Sequence, residues 1–140
     1  MRASVSSYLV DLMYGFLLLE GGETVFFYLD SFDSGEFLYG SPPPIPGELV
    51  EVEVYPETRK KNRRAKKVVR VEEPLYLHGI VVKFNPKRGF GFIKWSGGEC
   101  FFHLSDVKGF TIRIGTEVSF FLGKKEEKFR ACYLSEIGGD

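Results

Sequence analysis

Between Gly89 and Leu104 the chain alternates rings with small or apolar residues, and this pattern limits what it can fold into more than any other stretch. Gly89-Phe90-Gly91-Phe92-Ile93 places an aromatic ring at every second position, and Cys100-Phe101-Phe102-His103-Leu104 follows after Gly97-Gly98. Side chains of a β-strand point alternately to opposite faces. Phe90 and Phe92 therefore share one face and Gly91 and Ile93 the other; Phe101 and His103 go together, with Cys100, Phe102 and Leu104 pointing away. If Gly97-Gly98 turns the chain into a hairpin, the rings and the imidazole form one flat patch. Glycine between rings leaves backbone room for a planar group to lie against them. Lys83, Lys87, Arg88 and Lys94 flank the patch, and rings edged by cations suit unstacked bases on an anionic backbone.

Gly79-Ile80-Val81-Val82-Lys83-Phe84-Asn85, Gly89-Phe90-Gly91-Phe92-Ile93 and Phe101-Phe102-His103-Leu104 resemble a cold-shock domain. Gly109-Phe110 and Gly115-Thr116-Glu117-Val118-Ser119-Phe120 extend the resemblance over about residues 79–137. It implies a five-stranded, partly open barrel of the OB type that binds single-stranded RNA or DNA. Phe90, Phe92, Phe101 and His103 would stack bases, Phe110 would cap them from its loop, and the four flanking cations would meet phosphates. Family members act as RNA chaperones and transcription antiterminators. One departure stands out: where the family reads Val-Lys-Trp-Phe-Asn, this chain reads Val81-Val82-Lys83-Phe84-Asn85. Either Lys83 replaces the base-stacking tryptophan, or Phe84 assumes its place; both weaken the platform.

The first half carries a fainter copy of the second. Tyr14-Gly15-Phe16-Leu17 parallels Phe90-Gly91-Phe92-Ile93, and Val25-Phe26-Phe27-Tyr28-Leu29-Asp30 parallels Cys100-Phe101-Phe102-His103-Leu104-Ser105. Pro46-Gly47-Glu48-Leu49-Val50 matches Ile114-Gly115-Thr116-Glu117-Val118, and Arg64-Ala65 matches Arg130-Ala131. Matches in a fixed order indicate a repeat. The expected architecture is all-β: two small five-stranded cold-shock-like barrels in tandem, a degenerate one over residues 1–72 and a second over 79–140, joined by a short linker at 73–78. Glu72-Glu73-Pro74 marks the boundary, since proline cannot donate to a central ladder. Leu49 to Val54 alternates acid with aliphatic, as a strand with one wet face does. The proline-rich residues 40–46 read as a stiff surface connection.

Charge separates the halves. Residues 1–58 hold ten acids against Arg2, residues 59–70 hold eight cations and no acid, and the whole chain nets to zero. Tyr14, Phe16, Phe26 and Tyr28 keep a ring patch in the first half, but Glu20, Glu23 and Asp30 around it would repel phosphate. Those rings are either core or a protein-binding surface, where Tyr and Phe are favoured anchors. The basic run Arg59, Lys60, Lys61, Arg63, Arg64, Lys66 and Lys67 reads as a solvated hairpin or as a contact to nucleic acid or an acidic protein. In the strand it enters, Ala65, Val69 and Val71 are the expected core positions.

Other chemistry finds little footing. The cysteines, Cys100 and Cys132, make no disulfide framework, and Cys100 and His103 fall on opposite strand faces, so neither metal nor cofactor is expected. His78 and His103 lack a nucleophile and orienting acid, so an enzyme is not expected. The longest apolar run, Leu12 to Leu19, is too short to span a bilayer, and no secretory leader is evident, which places the protein in the cytoplasm. Absence of glutamine and scarcity of asparagine fit a heat-adapted source. Two functions follow. The first is a single-stranded nucleic-acid-binding regulator working through the second barrel. The alternative is a protein-binding transcription regulator, of the kind some bacteriophages use, that docks on RNA polymerase or a related machine through the acidic first barrel.

Overall fold

Alternating burial turns the sequence pattern into sheets. In Leu49–Val54, Val50 and Val52 are buried while Glu51 and Glu53 face outward. The same rule buries Gly91 and Ile93 between Phe90, Phe92 and Lys94. The computed structural model describes residues 1–35, 37, 42–56 and 63–137; Arg59, Lys60 and Lys61 lie outside them. The described chain is all-β, with strands and two single-turn 3-10 segments, and it divides into compact units at Met1–Pro74 and Leu75–Asp140.

The first unit contains β1 (Arg2–Leu9), β2 (Tyr14–Leu19), β3 (Thr24–Tyr28), a 3-10 turn (Leu29–Ser31), β4 (Phe32–Asp33), β5 (Leu49–Val54) and β6 (Ala65–Arg70). They form a six-stranded sheet in the order β3-β2-β1-β5-β6-β4. A parallel bridge between Phe26 and Arg64 joins β3 to the start of β6 and draws the sheet round on itself. The second unit contains β7 (Tyr76–Asn85), β8 (Phe90–Trp95), β9 (Gly98–His103), a 3-10 turn (Leu104–Asp106), β10 (Glu117–Lys125) and β11 (Lys128–Glu136). These strands make a closed barrel, β10-β11-β9-β8-β7, whose parallel seam pairs Arg130 with Phe101.

The repeat seen in the sequence extends to the hydrogen bonds. Phe26↔Arg64 in one unit and Phe101↔Arg130 in the other are the same parallel contact, and Phe32↔Val68 answers Val107↔Leu134. Gly47 donates to Val5 as Gly115 donates to Val81, and Leu29 donates to Met13 as Leu104 donates to Gly89. Equivalent side chains fill equivalent cores: Val5, Leu17, Phe27 and Val50 in the first unit, Val81, Ile93, Phe102 and Val118 in the second. Phe27 in the first core and Phe102 and Phe120 in the second are completely buried, and truncating such a ring costs about 3–5 kcal/mol.

Several expectations give way to local geometry. In β6 the buried positions are Ala65, Val68 and Arg70, not Val69 and Val71. The pairing slips between Glu53 and Val54, and this bulge reverses the inward parity of everything after it. Arg70 is tolerated inside because its Nε and Nη2 donate to the two Glu48 carboxylate oxygens at 2.7 and 2.8 Å. Its Nη2 also donates to the Pro43 carbonyl at 3.0 Å, and Pro44 and Ile45 are buried. The described part of the proline segment, residues 42–46, is therefore anchored, not laid over the surface. Tyr76 and His78 already belong to β7, paired with Phe121 and Ser119, so the linker expected at 73–78 is shorter. Trp95 pairs with Gly98, which makes Ser96-Gly97 the turn and Gly98 the first residue of β9.

Candidate nucleic-acid interface

On the outer face of β8 and β9 the register sets Phe92 opposite Phe101 and Phe90 opposite His103. Phe90 and Phe101 stack with centroids 5.7 Å apart and planes 28° from parallel, and Phe92 meets Phe101 edge-on at 5.9 Å. All of these side chains are half-buried, so their edges are fixed by one another while part of each ring remains open to solvent. The imidazole is oriented too: its Nδ1 accepts from the Ser105 amide at 3.0 Å.

Gly91 does not provide the room for a ligand that its place between rings suggested. A methyl group there would run into the Lys83 carbonyl and come 2.7 Å from the Phe102 ring, both on the inner side. The glycine lets β8 cross the bulge in β7 between Val81 and Lys83, and Gly15 meets the Ser7 carbonyl and Phe27 in the same way. The space it creates is filled by core.

The bulge also decides between the two readings of the missing tryptophan. Phe84 lies against buried Phe102, centroids 6.2 Å apart and planes within 15°, and packs on the hydrophobic core. It is not on the outer face. Lys83 is: its ammonium sits 5.7 Å from the Phe92 centroid and 3.7 Å from a Glu99 carboxylate oxygen. Phe110 likewise packs against the core and does not stand free as a cap. Trp95 packs against the core, edge-on to Phe120.

Cations surround the rings. Lys94 continues the outer face of β8, while Lys87 and Arg88 project from the turn in which Asn85 Oδ1 accepts from both of their amides. Glu99 is the residue that sequence reasoning missed, although its parity with Phe101 reveals it. Its carboxylate partly neutralises Lys83 and raises the cost of bringing phosphate to that corner. Below His103, Arg130 donates through Nε and Nη2 to Asp106 Oδ2 at 3.1 and 2.9 Å. Burial pushes the Asp106 carboxyl up from its usual range, and Arg130 opposes that rise.

In the first unit Tyr14, Phe16 and Phe26 are half-buried and Tyr28 is exposed. They are surface rings, in edge-on pairs Tyr14–Phe16 and Phe26–Tyr28. The repeat shows what has changed around them: the places of Lys83, Lys87, Arg88, Gly89 and Lys94 are taken by Ser7, Asp11, Leu12, Met13 and Leu18. Within the described part of the basic run, Arg63 is committed to Glu23 at 2.7 Å, Arg64 lies over Tyr28 and Tyr55, and Lys66 and Lys67 are exposed.

Residues 77–137 match the model of the 'Cold-shock' DNA-binding domain family. No curated protein matches the chain. Among solved structures, drosophila Unr CSD456 is similar at 19% identity and a TM-score of 0.43. That similarity covers 99% of this chain, which spans 61% of the other's length. Barrel order, outward rings and family match agree on the region from β7 to β11, which is similar to a cold-shock domain.

Proposed function

We propose that the protein binds single-stranded RNA or DNA through the second unit and acts as a regulator of RNA folding or transcription, without catalysis of its own. The observation that carries this is the Phe90–Phe92–Phe101 cluster, held rigid and part-open beside Lys83, Lys87, Arg88 and Lys94. Each stacked base is worth about 1–3 kcal/mol. With a lysine in the tryptophan position and strand ordering to offset, the expected affinity is roughly micromolar with little sequence preference. The test is titration of labelled oligouridine and oligothymidine at two salt concentrations against wild type and Phe92→Ala/Phe101→Ala. Loss of binding in the double variant supports the platform, and absence of binding by wild type removes it.

A second reading concerns the first unit, where Leu12 and Met13 are 63% and 59% exposed in place of the basic Arg88-Gly89. An acidic, ring-bearing face with exposed aliphatics favours protein over phosphate. We infer a docking role there, with RNA polymerase or another nucleic-acid machine as the kind of partner. Pull-down with and without nuclease tests it: a partner recovered only while RNA survives counts against direct protein contact.

A further inference from the structure

The equivalent arginines of the two units have different partners. Arg130 is tied down by Asp106. In the first unit the residue in the place of Asp106 is Ser31, the last of its 3-10 turn as Asp106 is of the other. Arg64 is thereby released from a carboxylate. Its guanidinium carbon lies 4.8 Å over the Tyr55 ring and 5.8 Å from that of Tyr28, and Arg64 makes no ion pair with a described residue.

This arginine lines a cleft of about 510 Å³ walled by Tyr28, Tyr55 and Phe32. Lys66 and Lys67 reach the cleft from β6, and Asp30, Asp33 and Glu53 line it from the 3-10 turn, β4 and β5. A bare anion would meet repulsion from those acids, and a plain cation would meet the arginine. A ligand with both polarities fits better. Phosphate takes the guanidinium in bidentate fashion and the lysine ammonium as a point charge. A flat base stacks on tyrosine and guanidinium, and its exocyclic amino group donates to a carboxylate.

We propose that this cleft is a nucleotide site in its own right, taking one amino-bearing base with its phosphate from a single-stranded nucleic acid. The proposal rests on the view of the chain as a single-strand binder. Its experiment silences the second unit's platform, so either can fail without the other.

The probes are guanosine monophosphate, uridine monophosphate, inorganic phosphate and a glutamate-rich peptide. Each is titrated at fixed ionic strength into the full chain carrying Phe92→Ala/Phe101→Ala, with amide chemical shifts as the readout. Guanosine monophosphate is expected to move residues 28–33, 53–55 and 64–67 with a dissociation constant on the order of millimolar. Uridine monophosphate, which lacks the amino group, should bind about fivefold more weakly, and phosphate more weakly still. Ser31→Asp re-creates the acid that holds Arg130 and should weaken guanosine monophosphate about tenfold, as should Arg64→Ala or Tyr55→Ala. Amides unmoved by guanosine monophosphate would overturn the proposal. So would phosphate or the peptide binding as tightly as the nucleotide, or a folded Ser31→Asp variant binding it unchanged.

Discussion

The Lys83 ammonium lies 5.7 Å from the centroid of the Phe92 ring, occupying the outer-face position where the cold-shock family carries a stacking tryptophan. A cation over a ring covers part of the surface a base would use, and contributes charge in exchange. Lys83→Trp should therefore tighten oligouridine binding about tenfold, one stacked base being worth about 1–3 kcal/mol. It should also make binding less salt-dependent. Anisotropy titrations across a salt series check both.

The flanking cations should act through the backbone alone. Lys87→Ala, Arg88→Ala and Lys94→Ala are each expected to weaken all sequences alike. Each should lower the slope of log affinity against log salt by about 0.7, the value for one phosphate contact on a single strand. A change of sequence preference in any of them would place that residue on a base instead.

Met13 has φ 57° in the turn where the second unit has Gly89 at φ 72°. A left-handed conformation costs a non-glycine residue about 1–2 kcal/mol. Met13→Gly should raise the melting temperature and Gly89→Met should lower it. If the exposed methionine serves docking, the stabilised variant will also lose its partner, which is how strain held at functional sites behaves.

The Arg70–Glu48 pair should reveal itself through single and double variants. Removing one member of a buried pair costs about 3–5 kcal/mol because the other charge is left unpaired, whereas replacing both with apolar residues is often neutral. Arg70→Met or Glu48→Leu alone should unfold much of the first unit by urea melt, and the double variant should recover most of the loss.

Both thiols should be inert in the folded protein. Burial pushes Cys100 up to about 11 and Cys132 up to about 12, so almost no thiolate exists at neutral pH. A thiol above its unfolded value stabilises the fold fully below about pH 8.5, and that contribution is lost as pH rises toward 11. Labelling by a disulfide reagent at pH 8 should proceed only as fast as the chain opens.

How far the sequence could be read depended on whether strict alternation applied. Where it did, as in Phe90–Trp95 and Leu49–Val54, the faces of the strands and the outward rings were legible residue by residue. Where a bulge interrupted it, parity failed: Val68 and Arg70 turned inward in place of Val69 and Val71, and Phe84 went to the core while Lys83 took the surface. One residue of slippage reverses every later side chain, and nothing in composition marks such a slip. The release of Arg64 was out of reach for another reason. It depends on Ser31, a residue distant in sequence that the fold places with Arg64 in the lining of one cleft.

The measurement closest to the central claim is aromatic-resonance mapping of the intact chain during titration with oligouridine. Signals of Phe90, Phe92, Phe101 and His103 should shift together through ring currents from stacked bases, while those of Phe84, Phe102 and Phe120 stay in place. Shifts confined to other surfaces, or none at millimolar oligonucleotide, would contradict the account.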